Sequence, residues 1–153
     1  MQISVRISKR KLNVFFGKEL IKSYSISTSK YGIGNKVGSN KTPLGLHQIV
    51  SKIGKNALSG TIFKRRRNTG KIARSRNGGD FITTRILRLA GLEKGINKGK
   101  GIDSFERGIY IHGTPEENLI GRPASHGCIR MKNRDIIELF DLVKRSTIVK
   151  IAK

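Results

Sequence analysis

Residues 110–131 read YIHGTPEENLIGRPASHGCIRM, a stretch that holds the single cysteine, Cys128, and two of the three histidines, His112 and His126. A lone thiol that lies among imidazoles and glycines is typical of a cysteine nucleophile site. The stretch therefore predicts that Cys128 is a nucleophile and that a histidine is its base.

The two histidines relate differently to the cysteine. One residue separates His126 from Cys128, and in an extended backbone this spacing directs two side chains to opposite faces. His112 ends a predicted strand over 108–112, because Gly113–Pro115 breaks it, so its ring can approach the sulfur from elsewhere in the fold. We expect His112 to be the base and a nearby positive charge to lower the thiol pKa to ~6 or below. His126 would order the loop or line the pocket.

Neighbouring residues suggest supporting roles. Gly127 removes a side chain beside the sulfur, so backbone N–H groups there are candidates for an oxyanion hole. Arg130 adds positive charge and could hold a substrate carboxylate, while an ion pair with a helix acid such as Asp135 is an equal alternative. No Asp or Asn is clearly placed to orient the His112 ring, and the backbone carbonyl of Gly113 is a possible substitute.

Two further roles for these residues stay open. A lone cysteine is often a buried small hydrophobe, although its His, Gly and Ser neighbours are poor core material. His112, His126 and Cys128 could also bind zinc, although the chain has no CxxC or HxxxH spacing there. On the residues alone, the nucleophile is the favoured interpretation.

Apolar and polar residues alternate at the start of the chain, where Ile3, Val5 and Ile7 begin the pattern. A period of two predicts half-buried strands, and the turns between them predict a three-stranded antiparallel meander over 3–7, 12–16 and 20–27. Further strands are predicted over 46–50, 61–63, 81–89, 108–112 and 147–151. His47 lies in the first of these, and we expect its ring to be satisfied within the structure.

One segment has helical periodicity. The spacing of Ile136, Leu139, Phe140 and Val143 predicts an amphipathic helix over 134–144. Asn133 has the right chemistry to cap it. The sequence thus predicts a mainly β fold of mixed short strands, with one helix after Cys128, as a single domain over 1–153.

The positive charge is concentrated in the first half of the chain. The net charge is +22, and residues 1–79 contribute +17 of it, with 18 Lys/Arg and one acid, Glu19. The densest run, 64–76, has seven basic residues and no acid. Such a run could bind nucleic acid or another polyanion, or form a solvated loop. No aromatic residue is interleaved for base stacking, which counts against nucleic-acid recognition.

The first residues do not read as a targeting segment. Polar residues interrupt the N-terminal stretch at every second position, whereas a secretory signal needs an unbroken apolar run of ~7–15 residues. No segment approaches the ~20 apolar residues of a membrane span. We therefore expect a cytoplasmic location, or the periplasm or cell envelope if the natural N-terminus is longer.

The strings Ile-His-Gly-Thr at 111–114 and Ser-His-Gly-Cys-Ile-Arg-Met at 125–131 resemble the signature of the L,D-transpeptidase catalytic domain family, also called YkuD-like. The Thr-Pro-Leu-Gly turn at 42–45 is similar to an upstream turn of that family. The resemblance covers most of the chain, and it implies a β-sandwich-like fold.

The resemblance also implies a reaction. Cys128 would attack the stem peptide of peptidoglycan or a muropeptide, form a thioester acyl-enzyme and release terminal D-alanine. His112 would be the general base, oriented by the Gly113 carbonyl, with Ser125, His126, Gly127 and Arg130 on the remaining motif positions. No metal or organic cofactor is implied, and we expect a monomer.

Two departures leave the acceptor open. Many family members carry an export signal and a wall-binding module, and this sequence shows neither. Relatives without a signal suggest an L,D-carboxypeptidase that trims tetrapeptides to tripeptides in murein recycling, with water as acceptor. The loop between His112 and Ser125 also varies in the family and would shape the acceptor side.

Overall fold

The computed structural model describes residues 1–74 and 79–153. Within these ranges the chain forms ten strands, one α-helix and one short 3-10 helix. These are β1 (Gln2–Arg6), β2 (Lys11–Phe16), β3 (Glu19–Ser25), β4 (Gly45–Ile53), β5 (Thr61–Lys64), β6 (Arg67–Ile72), β7 (Ile82–Gly91), β8 (Tyr110–Gly113), the 3-10 helix (Glu117–Leu119), β9 (Ile129–Met131), α1 (Asn133–Leu142) and β10 (Ile148–Ala152). The predicted mainly β fold, with mixed strands and a helix after Cys128, is confirmed.

The strands are linked by hydrogen bonds in the order β3-β2-β1-β10-β4-β7-β5-β6, and β8 and β9 branch from β7. The predicted N-terminal meander is confirmed, because β1 pairs antiparallel with β2 and β2 with β3. The final strand, β10, runs parallel to β1 and antiparallel to β4. The last strand of the chain therefore joins the meander to the strands that carry the Cys/His stretch.

The main core collects the apolar faces of these strands against the helix. Ile3 and Val5 of β1 are fully buried, as the alternation predicts. The buried face of α1 is Ile136, Leu139 and Phe140, which belongs to the same cluster. Helical spacing thus places one apolar stripe on the sheet, and burial of each such side chain contributes about 1.5–3 kcal/mol.

The strands β8 and β9 are the part of the sheet that presents the Cys/His stretch. They pair in parallel, with Ile111 opposite Ile129 and His112 opposite Arg130. Ile111 and Ile129 are fully buried in the main core. Because side chains alternate along a strand, His112 and Arg130 lie on the face away from that core.

Asn133 does not cap the helix, and the prediction that it does is wrong. The N-cap is Lys132, without a side-chain capping bond. The Asn133 side chain turns to the sheet, where Oδ1 accepts from the hydroxyls of Thr83 at 2.6 Å and Thr84 at 2.5 Å. Its backbone N–H is satisfied by the Glu117 carboxylate at 3.0 Å. Tertiary partners have replaced the local cap.

Two strands were not predicted. β6 lies inside the basic run 64–76, where charged residues hide any apolar alternation because nearly all of its side chains are exposed. β9 has only three residues, all buried, so it has no period to detect. The end of the run, Arg76, lies outside the described residues. The interpretation of the run as a solvated loop is therefore wrong for residues 67–72, because these residues form a strand that pairs with β5 in a hairpin.

Candidate active site

The Cys128 thiol is held by two backbone groups of the segment that leads into β8. Its S–H donates to the Gly108 carbonyl at 3.4 Å, and its sulfur accepts the Tyr110 N–H at 3.3 Å. Burial raises the pKa of this thiol to about 11, against the opposing effect of the Tyr110 N–H. The expectation of a lowered thiol pKa is wrong, because the cost of burying a thiolate outweighs the nearby cations. The resting residue is a neutral thiol.

His112 is a buried, neutral imidazole of defined tautomer. Its Nδ1 lies 2.6 Å from the Gly113 carbonyl oxygen. A carbonyl can only accept, so Nδ1 carries the proton and Nε2 presents a lone pair. Burial lowers the His112 pKa to about 4, against the effect of the Gly113 bond. The ring is therefore able to accept a proton at neutral pH.

The thiol and the ring lie on one face of adjoining chain segments. Cys128 directly precedes β9, so the β8–β9 register continues to place it level with Tyr110, two residues before His112. Cys128 also packs beside Tyr110 in a small apolar cluster with Phe63. In the described part of the chain, no hydrogen bond joins the His112 ring to the sulfur. Such bonds often form only when substrate is bound.

Both glycines of the motif are required by close packing. A Cβ on Gly113 would lie 2.6 Å from Asn133 Oδ1 and 2.7 Å from the Thr83 carbonyl oxygen. Gly127 has a φ of 125°, in the region that favours glycine, and a Cβ there would approach the Lys41 carbonyl at 3.2 Å. A side chain at Gly113 would therefore displace Asn133 or the Thr83 backbone next to the segment whose carbonyl bonds His112.

Ser125 holds the turn that carries the cysteine. Its hydroxyl donates to the Cys128 carbonyl at 2.6 Å and accepts the Gly127 N–H at 3.3 Å. From the predicted Thr-Pro-Leu-Gly turn, the Thr42 hydroxyl donates to the Gly127 carbonyl at 3.1 Å. The Gly127 N–H thus already has a hydrogen-bond acceptor in this structure. Its role in an oxyanion hole stays a prediction.

An ion-pair network stands beside the thiol. Arg130 is 1% exposed, and its Nη2 lies 2.8 Å from a carboxylate oxygen of both Asp80 and Glu116. The other oxygen of Asp80 lies 2.6 Å from His126 Nδ1. Arg130 therefore has acidic partners other than Asp135, the one suggested by the sequence. Asp80 connects two motif residues, His126 and Arg130.

His126 lies between two cavities. A cavity of about 190 Å³ is bordered by His126 and Cys128, with Arg107 and Asn40 on its wall. A second cavity, of about 410 Å³, is bordered by His126, Asp80, Glu116 and Arg130. The opposite-face argument for His126 and Cys128 is wrong, because the backbone bends at Gly127 instead of continuing extended.

The site has a small set of residues that sequence reasoning missed, namely Asp80, Glu116, Arg107, Tyr110 and Arg66. Asp80 carried a weak signal, because it is the first acid after Glu19 along the chain. The others contact the site from distant or ordinary-looking positions. Among the described residues, no three His, Cys, Asp or Glu side chains come together as a metal site.

His47 is the third histidine, and its ring is fully satisfied, as expected. It is completely buried on β4. Its Nδ1 lies 3.0 Å from the Gly45 carbonyl and its Nε2 lies 2.8 Å from the Ser104 hydroxyl. It lies on a different strand from His112, and both of its ring nitrogens are engaged.

The whole chain matches one protein family. A family model described as the L,D-transpeptidase catalytic domain, YkuD, matches residues 1–151. The chain therefore belongs to the L,D-transpeptidase catalytic domain family, which confirms the resemblance seen in the motif. No helix among the described residues has the length and apolar character to cross a membrane.

Individual relatives are similar over shorter stretches. Putative L,D-transpeptidases YkuD from Bacillus licheniformis and Bacillus subtilis are each 51% identical over 41 residues, which is 27% of this chain and 25% of theirs. The match thus spans a quarter of the length of these curated relatives.

Solved structures share the fold. An L,D-transpeptidase from Mycobacterium smegmatis has a TM-score of 0.59 at 16% identity, covering 99% of this chain and 58% of that one. An L,D-transpeptidase solved in complex with imipenem has a TM-score of 0.59 at 20% identity, covering 98% of this chain and 57% of that one. An Enterococcus faecium L,D-transpeptidase has a TM-score of 0.61 at 15% identity, covering 99% of this chain and 49% of that one.

Proposed function

We propose that this chain is a cysteine-dependent L,D-transpeptidase domain that acts on peptidoglycan stem peptides through a thioester acyl-enzyme. Family membership supports the class of reaction. The observation that carries the mechanism is the neutral thiol of Cys128 on the same face as a neutral His112 ring whose Nδ1 is bonded to Gly113. A neutral base of this kind removes a thiol proton during attack, without a standing thiolate.

Acylation follows from this arrangement. His112 Nε2 takes the proton of the Cys128 thiol as the sulfur bonds to the substrate carbonyl carbon. The Tyr110 N–H, 3.3 Å from the sulfur, stabilises the negative charge that develops there. The tetrahedral intermediate then collapses, and the protonated His112 gives its proton to the leaving amine. D-alanine departs, and the acyl group stays on Cys128 as a thioester.

Deacylation uses His112 again as the base, now for the acceptor amine. His112 takes a proton from the attacking amine of a second stem peptide as the new amide bond forms. The carbon–sulfur bond then breaks, and His112 returns that proton to the Cys128 sulfur. His126 lies between the cavity at the thiol and the larger cavity at Arg130. In this proposal the two peptide segments occupy these two cavities, one on each side of His126.

The first experiment detects the acyl-enzyme. The protein is incubated with imipenem, which is bound by one structural relative, and a covalent mass adduct is expected. The Cys128→Ala variant should form no adduct while melting near the wild-type temperature. An adduct of equal yield in Cys128→Ala would refute the nucleophile.

A disaccharide tetrapeptide, offered with and without an amine acceptor, then identifies the second step. We expect D-alanine release and a cross-linked or exchanged product that depends on the acceptor. Tripeptide alone in both reactions would contradict transpeptidation and assign the domain to hydrolysis.

A further inference from the structure

The basic run forms an unusual hairpin turn. Lys64 pairs with Arg67 across β5 and β6, so Arg65 and Arg66 form a two-residue turn. Both have positive φ, 49° and 63°. Turns of this kind favour Asn-Gly, since residues with a Cβ are strained in the left-handed region. Two arginines are thus kept where the backbone disfavours them, and such strain gathers at functional sites.

The turn and the thiol share one contact residue, Tyr110. Phe63 of β5 packs in the small apolar cluster with Tyr110 and Cys128. Arg66 Nη1 donates to the Tyr110 hydroxyl at 3.1 Å, and the Tyr110 N–H donates to the Cys128 sulfur at 3.3 Å. The most basic segment of the chain therefore contacts Tyr110, a residue that also bonds the thiol, although the segment is far from the motif in sequence.

No acid among residues 1–74 and 79–153 forms an ion pair with the turn. Four consecutive basic residues occupy 64–67, all of them exposed. Among the ion pairs of the described residues, none involves this segment, whereas the buried Arg130 has two carboxylates. A guanidinium without an acid partner among the described residues, bonded to the side chain of the residue whose N–H holds the thiol, is suited to bind an anionic group of the substrate.

We propose that the Arg65-Arg66 turn recognises a carboxylate of the peptide whose carbonyl reacts with Cys128. This inference rests on the proposed function and names a specificity-determining element for it. Arg66 binds the carboxylate while its bond to the Tyr110 hydroxyl fixes the guanidinium on the residue that also contacts the Cys128 sulfur. A peptide carboxylate is favoured over a nucleic acid, because the planar fork of arginine matches a carboxylate and the turn has no aromatic side chain for base stacking.

The test removes the charges and relaxes the turn at once. Arg65→Asn/Arg66→Gly places the favoured Asn-Gly pair in the turn, so the melting temperature should rise. The double variant Lys9→Gln/Lys18→Gln is the matched control, because it removes the same charge from exposed turns of the meander at the opposite edge of the sheet. The single variant Arg66→Gln keeps the turn as it is.

Each protein is assayed with a tetrapeptide that bears free side carboxylates and with the same peptide as carboxamides. For the carboxylate peptide, kcat/KM should fall about tenfold or more in both Arg66 variants, mainly through KM, since a charge-assisted hydrogen bond to the substrate is lost. The carboxamide peptide should be unaffected, and the control should behave as wild type.

Three results would overturn the proposal: equal loss on both peptides, equal loss in the control, or unchanged peptide kinetics with salt-dependent RNA binding lost only in the Arg66 variants. The last result would assign the turn to a polyanion. Failure of the proposed function is separate, because wild type would then form no imipenem adduct at Cys128.

Discussion

Two strand histidines, His47 on β4 and His112 on β8, illustrate how the same side chain becomes structural or reactive. Both are buried, both bond a backbone carbonyl through Nδ1, and burial lowers the pKa of each. They differ at the second nitrogen. His47 Nε2 is bonded to the Ser104 hydroxyl, whereas His112 Nε2 has no hydrogen-bond partner among the described residues.

The comparison shows that burial alone does not define a catalytic histidine. Burial keeps both rings neutral and the backbone carbonyl sets both tautomers, so both have a basic Nε2. Only the His112 lone pair remains available for a proton, and it lies on the face that also carries Cys128. The two rings therefore differ in one partner: His47 has both nitrogens bonded, and His112 has a free Nε2 among the described residues.

The largest expected effect is on activity. His112→Gln should lower kcat/KM for acyl transfer by roughly 10²–10⁴-fold, because the general base is lost, with little change in melting temperature. His47→Gln, the matched substitution, should preserve activity but lower the free energy of unfolding by about 1–3 kcal/mol, since the Ser104 and Gly45 contacts are disturbed. Comparable activity losses in both variants would remove the distinction between the two regions.

The second effect is a loss of stability in acid. The His112 pKa is lowered from 6.5 to about 4, so between these values the unfolded chain binds a proton that the folded chain does not. The free energy of unfolding should fall by about 3 kcal/mol as pH drops from 6.5 to 4. The lowered pKa of His47 acts in the same direction.

Urea unfolding at several pH values measures this dependence, and His112→Gln isolates one share of it. The variant should lose the His112 part of the slope and keep the part that belongs to His47. An unchanged slope would mean that His112 is not held neutral.

The smallest expected effect is a loss of stability when His47 loses its hydrogen bond to Ser104. Ser104→Ala removes the donor to His47 Nε2 and leaves a buried lone pair without a partner, so stability should fall by about 1 kcal/mol. The acyl-transfer rate should not change, because the His47 lone pair gains no path to the thiol. Chemical denaturation measures the loss of stability, and the rate of reaction with imipenem measures whether the acyl-transfer chemistry changes. A slower reaction with imipenem would connect His47 to the active site.

Prediction from sequence succeeded where the signal was local. The meander, β4, β7 and α1 were recognised from periods of two or 3.6, since each presents one apolar face to the core. It failed at β6 and at Asn133. Exposed charges concealed the strand pairing of β6. The side-chain oxygen of Asn133 accepts hydrogen bonds from Thr83 and Thr84, about 50 residues away in the sequence.

The reactive groups follow the same division. Cys128, His112 and the glycines were evident from residue type and spacing in one short stretch. Asp80 and Glu116, which hold Arg130, lie 50 and 14 residues from it in the sequence. No local pattern reports such a contact, because an ion pair depends on which loops the fold brings together.

By itself, the sequence determined the candidate reactive groups and the family, because thiols, imidazoles and glycines at fixed spacing are properties of residue type. Only the tertiary structure decided how those groups are ionised. Burial raised the Cys128 pKa and lowered the His112 pKa, so the pair is neutral at rest. The tertiary structure also placed Arg66 of the arginine turn against the Tyr110 hydroxyl. Both outcomes depend on desolvation and on contacts between distant segments, which a linear pattern does not contain.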